Sequence, residues 1–210
     1  MTPEELANLH PRLFHITSNS WLNIKKHGLL SSSAILDLFE IKEPERSCIE
    51  SRRRSSGVLL QHPEHGILVL NDNVPLIESA LEKCLDDNLT IADWMRILNK
   101  RVFFWPTEEH LHKHLNARLN RGKSLEILVV DTLSLAKEYA EQIELCPINS
   151  GVTFRKAAKR GLNTFTPMLK HPYKTWKTLR GKQDKIQEVT VLYHVKNIQS
   201  HVLKILHSQE

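Results

Sequence analysis

Two polar residues lie in apolar, strand-like segments near the two ends of the chain, and both have side chains that can do chemistry. His15 lies within residues 13–17, and Glu188 lies at the start of residues 187–195. An imidazole can donate or accept a hydrogen bond, and a carboxylate near a reacting group can stabilise a developing positive charge. An early histidine on one strand and a late glutamate opening another therefore predict a site assembled across a β-sheet.

Both residues also have structural interpretations. A glutamate in a strand usually points to solvent, because burying an unpaired carboxylate costs several kcal/mol. Alternation puts Glu188 on one face with Thr190 and Leu192, but it does not show which face is exposed. A lone histidine in a strand is more often a hydrogen-bonded core residue than a catalytic one. The functional interpretation therefore depends on where the fold places the two strands.

The chain has the composition of a globular protein. Its 210 residues can enclose a sizeable core, and 40% hydrophobic with 25% charged residues is an ordinary balance. No apolar run approaches the roughly 18 residues of a membrane helix, and the acidic N-terminus lacks a secretion-signal pattern. We therefore expect a cytoplasmic protein with no membrane partner. The cysteines, Cys48, Cys84 and Cys146, are far apart and indicate reduced thiols.

Basic residues are distributed unevenly along the chain. The formal net charge is +5, and the basic residues cluster at positions 52–54 and across 155–185. This balance permits a polyanionic partner but does not require one. Within the second cluster, Trp176 lies among lysines, an arrangement that can stack on and clamp single-stranded DNA or RNA. A loop anchored by the tryptophan is an equally good interpretation.

Periodicity predicts an α+β protein with one domain over residues 1–210. Strands are predicted at residues 13–17, 58–60, 67–70, 102–105, 125–130 and 187–195. Helices are predicted from Ser18 or Ser20 to His27 and over residues 34–41, 75–85, 91–99 and 108–120. Residues 42–57 are predicted as a loop or a short helix. Beyond Thr132 the periodicity weakens, and residues 151–181 give no assignment.

Several of these segments follow one another as they do in a known family. The motif Phe14-His15-Ile16-Thr17 leads through a helix to Gly28, arginines at 52–54 precede a strand, and Glu188 opens a late strand. In these segments, and at residues 66–75 and 102–105, the chain resembles ADP-ribosyltransferase-fold proteins, especially the DarT type that modifies thymidine in DNA. The resemblance implies a split mixed or antiparallel β core flanked by helices, with a further helix over residues 195–205.

The resemblance also implies which residues act and on what substrate. NAD would be the substrate, with Glu188 holding the ribose 2′-hydroxyl and stabilising the oxocarbenium-like state that forms when nicotinamide leaves. His15 and Thr17 would bind the dinucleotide from one side of their strand. Arg53 would pair with the pyrophosphate through its planar guanidinium, with Arg54 as the next candidate. A solvated basic loop is the alternative interpretation of these arginines.

We therefore expect an NAD-dependent ADP-ribosyltransferase, with a nucleic acid as the candidate acceptor. Two alternatives remain: a catalytically silent relative that binds a nucleotide or nucleic acid, and an NAD glycohydrolase with the same site. The chain lacks GxGxxG, so NAD would not lie in a Rossmann cradle. His110 and His114 share a helix face at a spacing that can bind zinc, but no further ligand follows at a matching spacing, so we expect no metal site.

Overall fold

The structure of the protein, a computed structural model, describes residues 1–18, 20–117, 122–154, 157–175 and 186–208. Helices and strands both occur throughout this part of the chain, which confirms the predicted α+β class. The α-helices are α1 (Pro3–Leu9), α2 (Trp21–His27), α3 (Ser32–Leu38), α4 (Glu45–Glu50), α5 (Glu78–Glu82), α6 (Ile91–Asn99), α7 (Glu108–Leu115) and α8 (Thr132–Glu138). The β-strands are β1 (Arg12–Thr17), β2 (Leu29–Leu30), β3 (Val58–His62), β4 (Gly66–Leu70), β5 (Arg101–Phe104), β6 (Glu126–Asp131), β7 (Ile143–Cys146), β8 (Thr166–Pro167), β9 (Glu188–Leu192), β10 (His194–Val195) and β11 (Val202–His207).

The chain is divided into two compact units. Unit 1 comprises Met1–Leu29, Val102–Ile148 and Phe165–Glu210, and unit 2 comprises Leu30–Arg101 and Asn149–Thr164. One domain over residues 1–210 stays a prediction of the sequence. In the part of the chain that the structure describes, no helix has both the length and the apolar character needed to cross a membrane.

The first sheet of unit 1 is built on β6, the central strand that the apolar run at residues 125–130 predicts. Strand β6 pairs antiparallel with β1 on one side and with β11 on the other. Leu128 and Val130 join the main core of unit 1, whereas Ile127 and Val129 pack with Leu111 of α7. A strand that is covered on both faces has a nearly continuous apolar sequence, which explains why the sequence identifies it.

The second sheet of unit 1 has the strand order β5-β9-β7-β8. Strands β7 and β9 pair antiparallel, and Val189 and Val191 of β9 enter the main core together with Ile143 and Leu145 of β7. The sequence does not predict β7. Its apolar residues alternate with polar ones over only four positions, too few for a clear period.

Strands β1 and β5 bring the two sheets of unit 1 together. Phe14 in β1 and Trp105, the residue after β5, exchange backbone hydrogen bonds of 2.9 and 2.8 Å. Such bonds satisfy polar backbone groups that would otherwise be left without partners at the ends of the strands. Strand β1 therefore lies beside the end of β5, and β5 in turn lies beside β9.

The resemblance implies a helix over residues 195–205, and this prediction is wrong. The structure has a short 3-10 helix at Ile198–Ser200 followed by β11, which pairs with β6. The edge of β6 that β1 leaves open explains the difference. Buried backbone N–H and C=O groups need partners, and only another strand supplies them along the whole edge.

Unit 2 combines a hairpin with short helices. Strands β3 and β4 form the antiparallel hairpin that residues 58–60 and 67–70 predict. Helix α6 begins as predicted, because Thr90 and Asp93 form a capping box in which each side chain accepts the other residue's backbone N–H. Helix α5 is shorter than the helix predicted over residues 75–85. The hairpin packs against α3 and α4 through a cluster of buried apolar residues: Leu36, Phe39, Ile49, Leu60 and Leu70.

A buried arginine holds the segment Asn149–Thr164 within unit 2. The Arg160 residue is only 1% exposed, and its guanidinium donates to the backbone carbonyls of Ser150, Val152 and Ala158 at 2.8, 3.2 and 3.0 Å. The guanidinium also lies 5.7 Å from the ring centroid of Trp94. Charged donors make stronger hydrogen bonds than neutral ones, so Arg160 organises a segment whose described residues, 149–154 and 157–164, form no helix or named strand.

Replacing Arg160 with methionine should lower the free energy of unfolding by about 3 kcal/mol or more, because three carbonyls would lose a charged donor in buried surroundings. Urea denaturation measures the change. Lys159→Met is the matched control, since the Lys159 side chain is 67% exposed and pairs with Asp86 at the surface. Its loss should cost less than about 1 kcal/mol. Equal effects of the two substitutions would contradict the structural role of Arg160.

Candidate active site

His15 projects from β1 toward β5. Its Nδ1 lies 2.8 Å from the backbone carbonyl oxygen of Phe103, and its ring lies 5.7 Å from that of Phe104. A carbonyl only accepts, so Nδ1 carries the proton and Nε2 presents a lone pair in the neutral ring. Burial lowers the pKa of His15, although the Phe103 carbonyl opposes this shift. His15 is therefore suited to accept a hydrogen bond through Nε2 rather than to change charge.

Thr17 lies on the same face of β1 as His15. Leu13, two residues before His15, is in the main core of unit 1, and alternation places positions 13, 15 and 17 on one side of the strand. Thr17 is buried and lies opposite Glu126 of β6. The Glu126 carboxylate accepts the backbone N–H of Trp21 at 3.1 Å, which ties the start of α2 to this end of the sheet. The predicted pair of His15 and Thr17 thus lies on one face, as the sequence indicates.

Glu188 is buried at the start of β9. The residue is 4% exposed, which excludes the interpretation of Glu188 as a solvated strand residue. Because Val189 and Val191 are in the core, Glu188 and Thr190 lie on the opposite face of the strand. The sequence alone did not show which face was exposed, and the structure buries both.

The neighbouring strand β7 adds polar residues beside Glu188. In the β7–β9 pair, Cys146 lies opposite Glu188 and Glu144 lies opposite Thr190. Side chains of directly opposed residues project from the same face of an antiparallel pair. We call these residues, Glu144, Cys146, Glu188 and Thr190, the polar face; their exposures are 8%, 0%, 4% and 0%. Sequence reasoning missed Glu144 because β7, with only four residues, is too short to show a clear period and was left unassigned.

The strands of His15 and Glu188 lie on either side of β5, but His15 is on the main-core face of β1, whereas Glu188 is on the face of β9 that is turned away from the main core. His15 hydrogen-bonds to Phe103 in β5, and β5 lies between the end of β1 and β9. Neighbouring strands are about 4.8 Å apart, so two such spacings separate β1 from β9 by about 10 Å. The histidine and the glutamate that the sequence selected from opposite ends of the chain therefore belong to adjoining sheets of the same unit.

The predicted phosphate ligands Arg53 and Arg54 lie in unit 2. Arg53 donates through Nη2 to the backbone carbonyl of Val74 at 2.9 Å. Arg54 donates to the backbone carbonyls of Ile49 and Asn71 and to the side-chain oxygen of Asn99. Burial lowers the pKa of Arg54. These bonds give Arg54 a structural role in unit 2, and the phosphate-binding roles of both arginines stay predictions.

The histidines of α7 pack around an aromatic ring. His110 and His114 have ring centroids 6.4 and 5.4 Å from that of Trp105, and His110 Nδ1 lies 2.9 Å from the Thr107 hydroxyl. Within residues 1–18, 20–117, 122–154, 157–175 and 186–208, no group of three or more His, Cys, Asp or Glu side chains could hold a metal ion. Packing against Trp105 accounts for the shared helix face of these histidines.

The predicted nucleic-acid clamp is only partly within the described chain. Trp176, on which the stacking prediction depends, lies outside the described residues. Tyr173, three residues before it, is partly buried against the main core of unit 1. That contact gives Tyr173 a packing role.

The fold and the buried polar face define an α+β protein with a carboxylate and a histidine on adjoining sheets. A model of a family of unknown function, DUF7002, matches residues 11–202, so the chain belongs to that family. The matched range includes all five residues selected from the sequence: His15, Thr17, Arg53, Arg54 and Glu188. No curated protein matches the chain.

Histidines in unit 1 should make the protein sensitive to acid. Burial is the main cause that lowers the pKa of His10, His15 and His114 below the ordinary value of 6.5. A lowered pKa in the folded state means that the unfolded chain binds more protons. The stability is therefore fully present above pH 6.5 and decreases as the pH falls below it.

Urea denaturation at about pH 7.5 and about pH 5.5, at constant ionic strength, measures this dependence. His15→Gln should make the loss of stability on acidification smaller, because the variant removes one group that is neutral in the fold. His112→Gln, on the exposed side of α7, is the matched control and should behave like the native protein. The same pH dependence in His15→Gln as in the native protein would contradict the assignment to His15.

Proposed function

We propose that this protein is an NAD-dependent ADP-ribosyltransferase with a nucleic acid as acceptor. One observation carries the proposal: Glu188 is buried on β9, and β5 lies between β9 and β1, the strand that carries His15. The order of motifs along the chain, which resembles that of DarT-type enzymes, gives these residues their roles.

The chemistry suits a carboxylate in poorly hydrated surroundings. Cleaving the bond between nicotinamide and ribose passes through an oxocarbenium-like state, in which positive charge develops on the sugar. A fixed negative charge stabilises that state more strongly where water is excluded. Glu188, at 4% exposure, is held in such surroundings by the strands on either side of β9.

The tautomer of His15 supports a binding role. With Nδ1 donating to Phe103, the Nε2 lone pair can accept a hydrogen bond from a ribose hydroxyl of NAD. Thr17 can add a hydroxyl from the same face of β1. Neither residue needs to change charge, in agreement with the lowered pKa of His15.

Access to Glu188 requires a rearrangement. A carboxylate that is 4% exposed cannot contact a ribose until the groups covering it move. Binding of the dinucleotide would therefore be coupled to opening of the polar face. Such coupling is common where an active site must exclude water during the reaction.

The charge of the chain supports a nucleic acid as acceptor. A formal net charge of +5 and a pI near 9.1 favour association with a polyanion. The glycohydrolase alternative would transfer the ADP-ribose to water instead. A silent relative would bind NAD or nucleic acid without releasing nicotinamide.

Glu188→Gln should reduce nicotinamide release about 100-fold or more, because the neutral amide cannot stabilise the cationic state as the carboxylate does. NAD affinity and melting temperature should stay close to native. Labelled NAD with single-stranded DNA and RNA oligonucleotides measures release and transfer together. Glu141→Gln, at an exposed position two residues before β7, is the matched control and should be fully active.

The outcomes separate the three functions. Label on the oligonucleotide indicates a transferase, and nicotinamide release without label indicates a glycohydrolase. NAD binding without release indicates a silent relative. Unaltered turnover in Glu188→Gln would refute the proposed role of the carboxylate.

Arg53→Lys should weaken NAD affinity about tenfold, because lysine cannot form the planar two-point hydrogen bonds that a guanidinium forms with a phosphate. Isothermal titration with NAD measures the dissociation constant, and urea denaturation shows whether loss of the bond to Val74 changes the stability. Arg52→Lys, at the exposed neighbouring position, is the control. If affinity is unchanged in Arg53→Lys and lowered in Arg52→Lys, the phosphate contact belongs to Arg52.

A further inference from the structure

A second carboxylate shares the polar face with Glu188. Glu144 lies opposite Thr190, and Glu188 lies opposite Cys146, so the two glutamates occupy diagonal positions of the β7–β9 pair. Both are less than a tenth exposed, at 8% and 4%. No motif in the sequence selects Glu144. The strand register alone brings it beside the proposed catalytic residue.

The diagonal spacing suits two carboxylates that act on one sugar carbon. Diagonal neighbours on an antiparallel pair lie about 7 Å apart. In enzymes that cleave glycosidic bonds, a separation of about 6.5–9.5 Å between two carboxyl groups leaves room for an attacking molecule between them. The register of β7 and β9 therefore allows one carboxylate to face the sugar and the other to face the incoming nucleophile.

The other members of the polar face are poorer proton acceptors. The Thr190 hydroxyl donates to the backbone carbonyl of Glu144 at 3.3 Å, and the Cys146 thiol donates to the carbonyl of Ile148 at 3.2 Å. Both groups use their protons within the fold, and an alcohol is too weak a base to remove one from a substrate. A carboxylate accepts protons without donating any when it is ionised.

We propose that Glu144 is the catalytic base that takes the proton from the acceptor in the reaction that Glu188 supports. This inference rests on the proposed function. It deepens that function by dividing the chemistry between two carboxylates from neighbouring strands.

The bond between the sugar C1′ and the nicotinamide nitrogen breaks, and its electron pair leaves with neutral nicotinamide. A lone pair on the acceptor oxygen or nitrogen forms the new bond to C1′. The acceptor proton passes to Glu144, which becomes a neutral carboxylic acid and later releases the proton to water. Glu188 remains ionised throughout.

Azide provides a test, because it is an anionic nucleophile with no proton to lose. The experiment measures NAD consumption with water or an oligonucleotide as acceptor, and again with added azide, for the native protein and for Glu144→Gln and Glu188→Gln. In Glu144→Gln we expect the reaction with the protic acceptor to fall about 100-fold, as loss of a general base predicts. The reaction with azide should stay within about twofold of native. Glu188→Gln should lose both reactions.

Each other outcome overturns the assignment. If Glu144→Gln keeps both reactions, Glu144 has no part in catalysis, and if it loses both equally, Glu144 acts on the fold or on nicotinamide departure. If the glutamine variant does not fold, Glu144→Asp replaces it. Because the aspartate side chain is shorter, its carboxylate lies farther from the acceptor, and the ratio of azide to water turnover should rise. An unchanged ratio refutes the proposal. Glu141→Gln is again the control.

Failure of the proposed function gives a different result. A native protein that consumes no NAD with any nucleophile refutes the transferase itself, and the role of Glu144 with it. A native protein that is active and depends on Glu188, with no selective loss in the Glu144 variants, refutes only the second carboxylate.

Discussion

The burial of one carboxylate is the constraint on which the proposed site depends. Removing an ionised carboxylate from water costs several kcal/mol unless its surroundings compensate for the lost hydration. Glu188 is nevertheless 4% exposed, at the start of a strand whose next residue, Val189, is fully buried. The core contacts of Val189 and Val191 hold β9 in place, so the backbone determines where the carboxyl group lies. In the proposed reaction, an ionised Glu188 in these surroundings would be weakly screened, which is what stabilisation of a cationic sugar requires.

Strand β5 connects the two halves of that site. It contributes Val102 and Phe104 to the main core of unit 1, and the carbonyl of Phe103 accepts the hydrogen bond that orients His15. The residue after it, Trp105, is bonded to Phe14. One short strand therefore positions the histidine on one side and lies beside the strand of Glu188 on the other. A displacement of β5 would change the tautomer and the position of the imidazole together.

The contacts of each arginine in a basic cluster show whether it has a structural role or can bind a partner, and the sequence does not show this. Arg160 and Arg54 donate to backbone carbonyls and hold irregular segments of unit 2. Arg53, adjacent to Arg54, makes one such bond. The arginines at 52–54 look alike in sequence, yet Arg54 is committed to the fold. A net positive charge therefore overstates the positive charge that a partner can reach.

Local sequence patterns predicted those elements whose burial or capping depends on residues that are close together in the chain. Strand β6 has both faces buried and a continuous apolar run, and α6 has its capping box at Thr90 and Asp93. Strands β7 and β11 could not be predicted in the same way. The first is too short to show a period, and the second forms because an edge of β6 needs backbone partners. That requirement comes from tertiary pairing and has no local signature.

The sequence by itself determined the candidates His15 and Glu188, because a polar residue within an apolar run can be recognised without knowledge of the fold. Only the tertiary structure decided that Glu188 is buried, that β5 lies between the strands of His15 and Glu188, and that Glu144 shares the polar face. These three facts depend on strand order and register. Order and register arise from hydrogen bonds between segments far apart in the chain, so no stretch of sequence carries them alone.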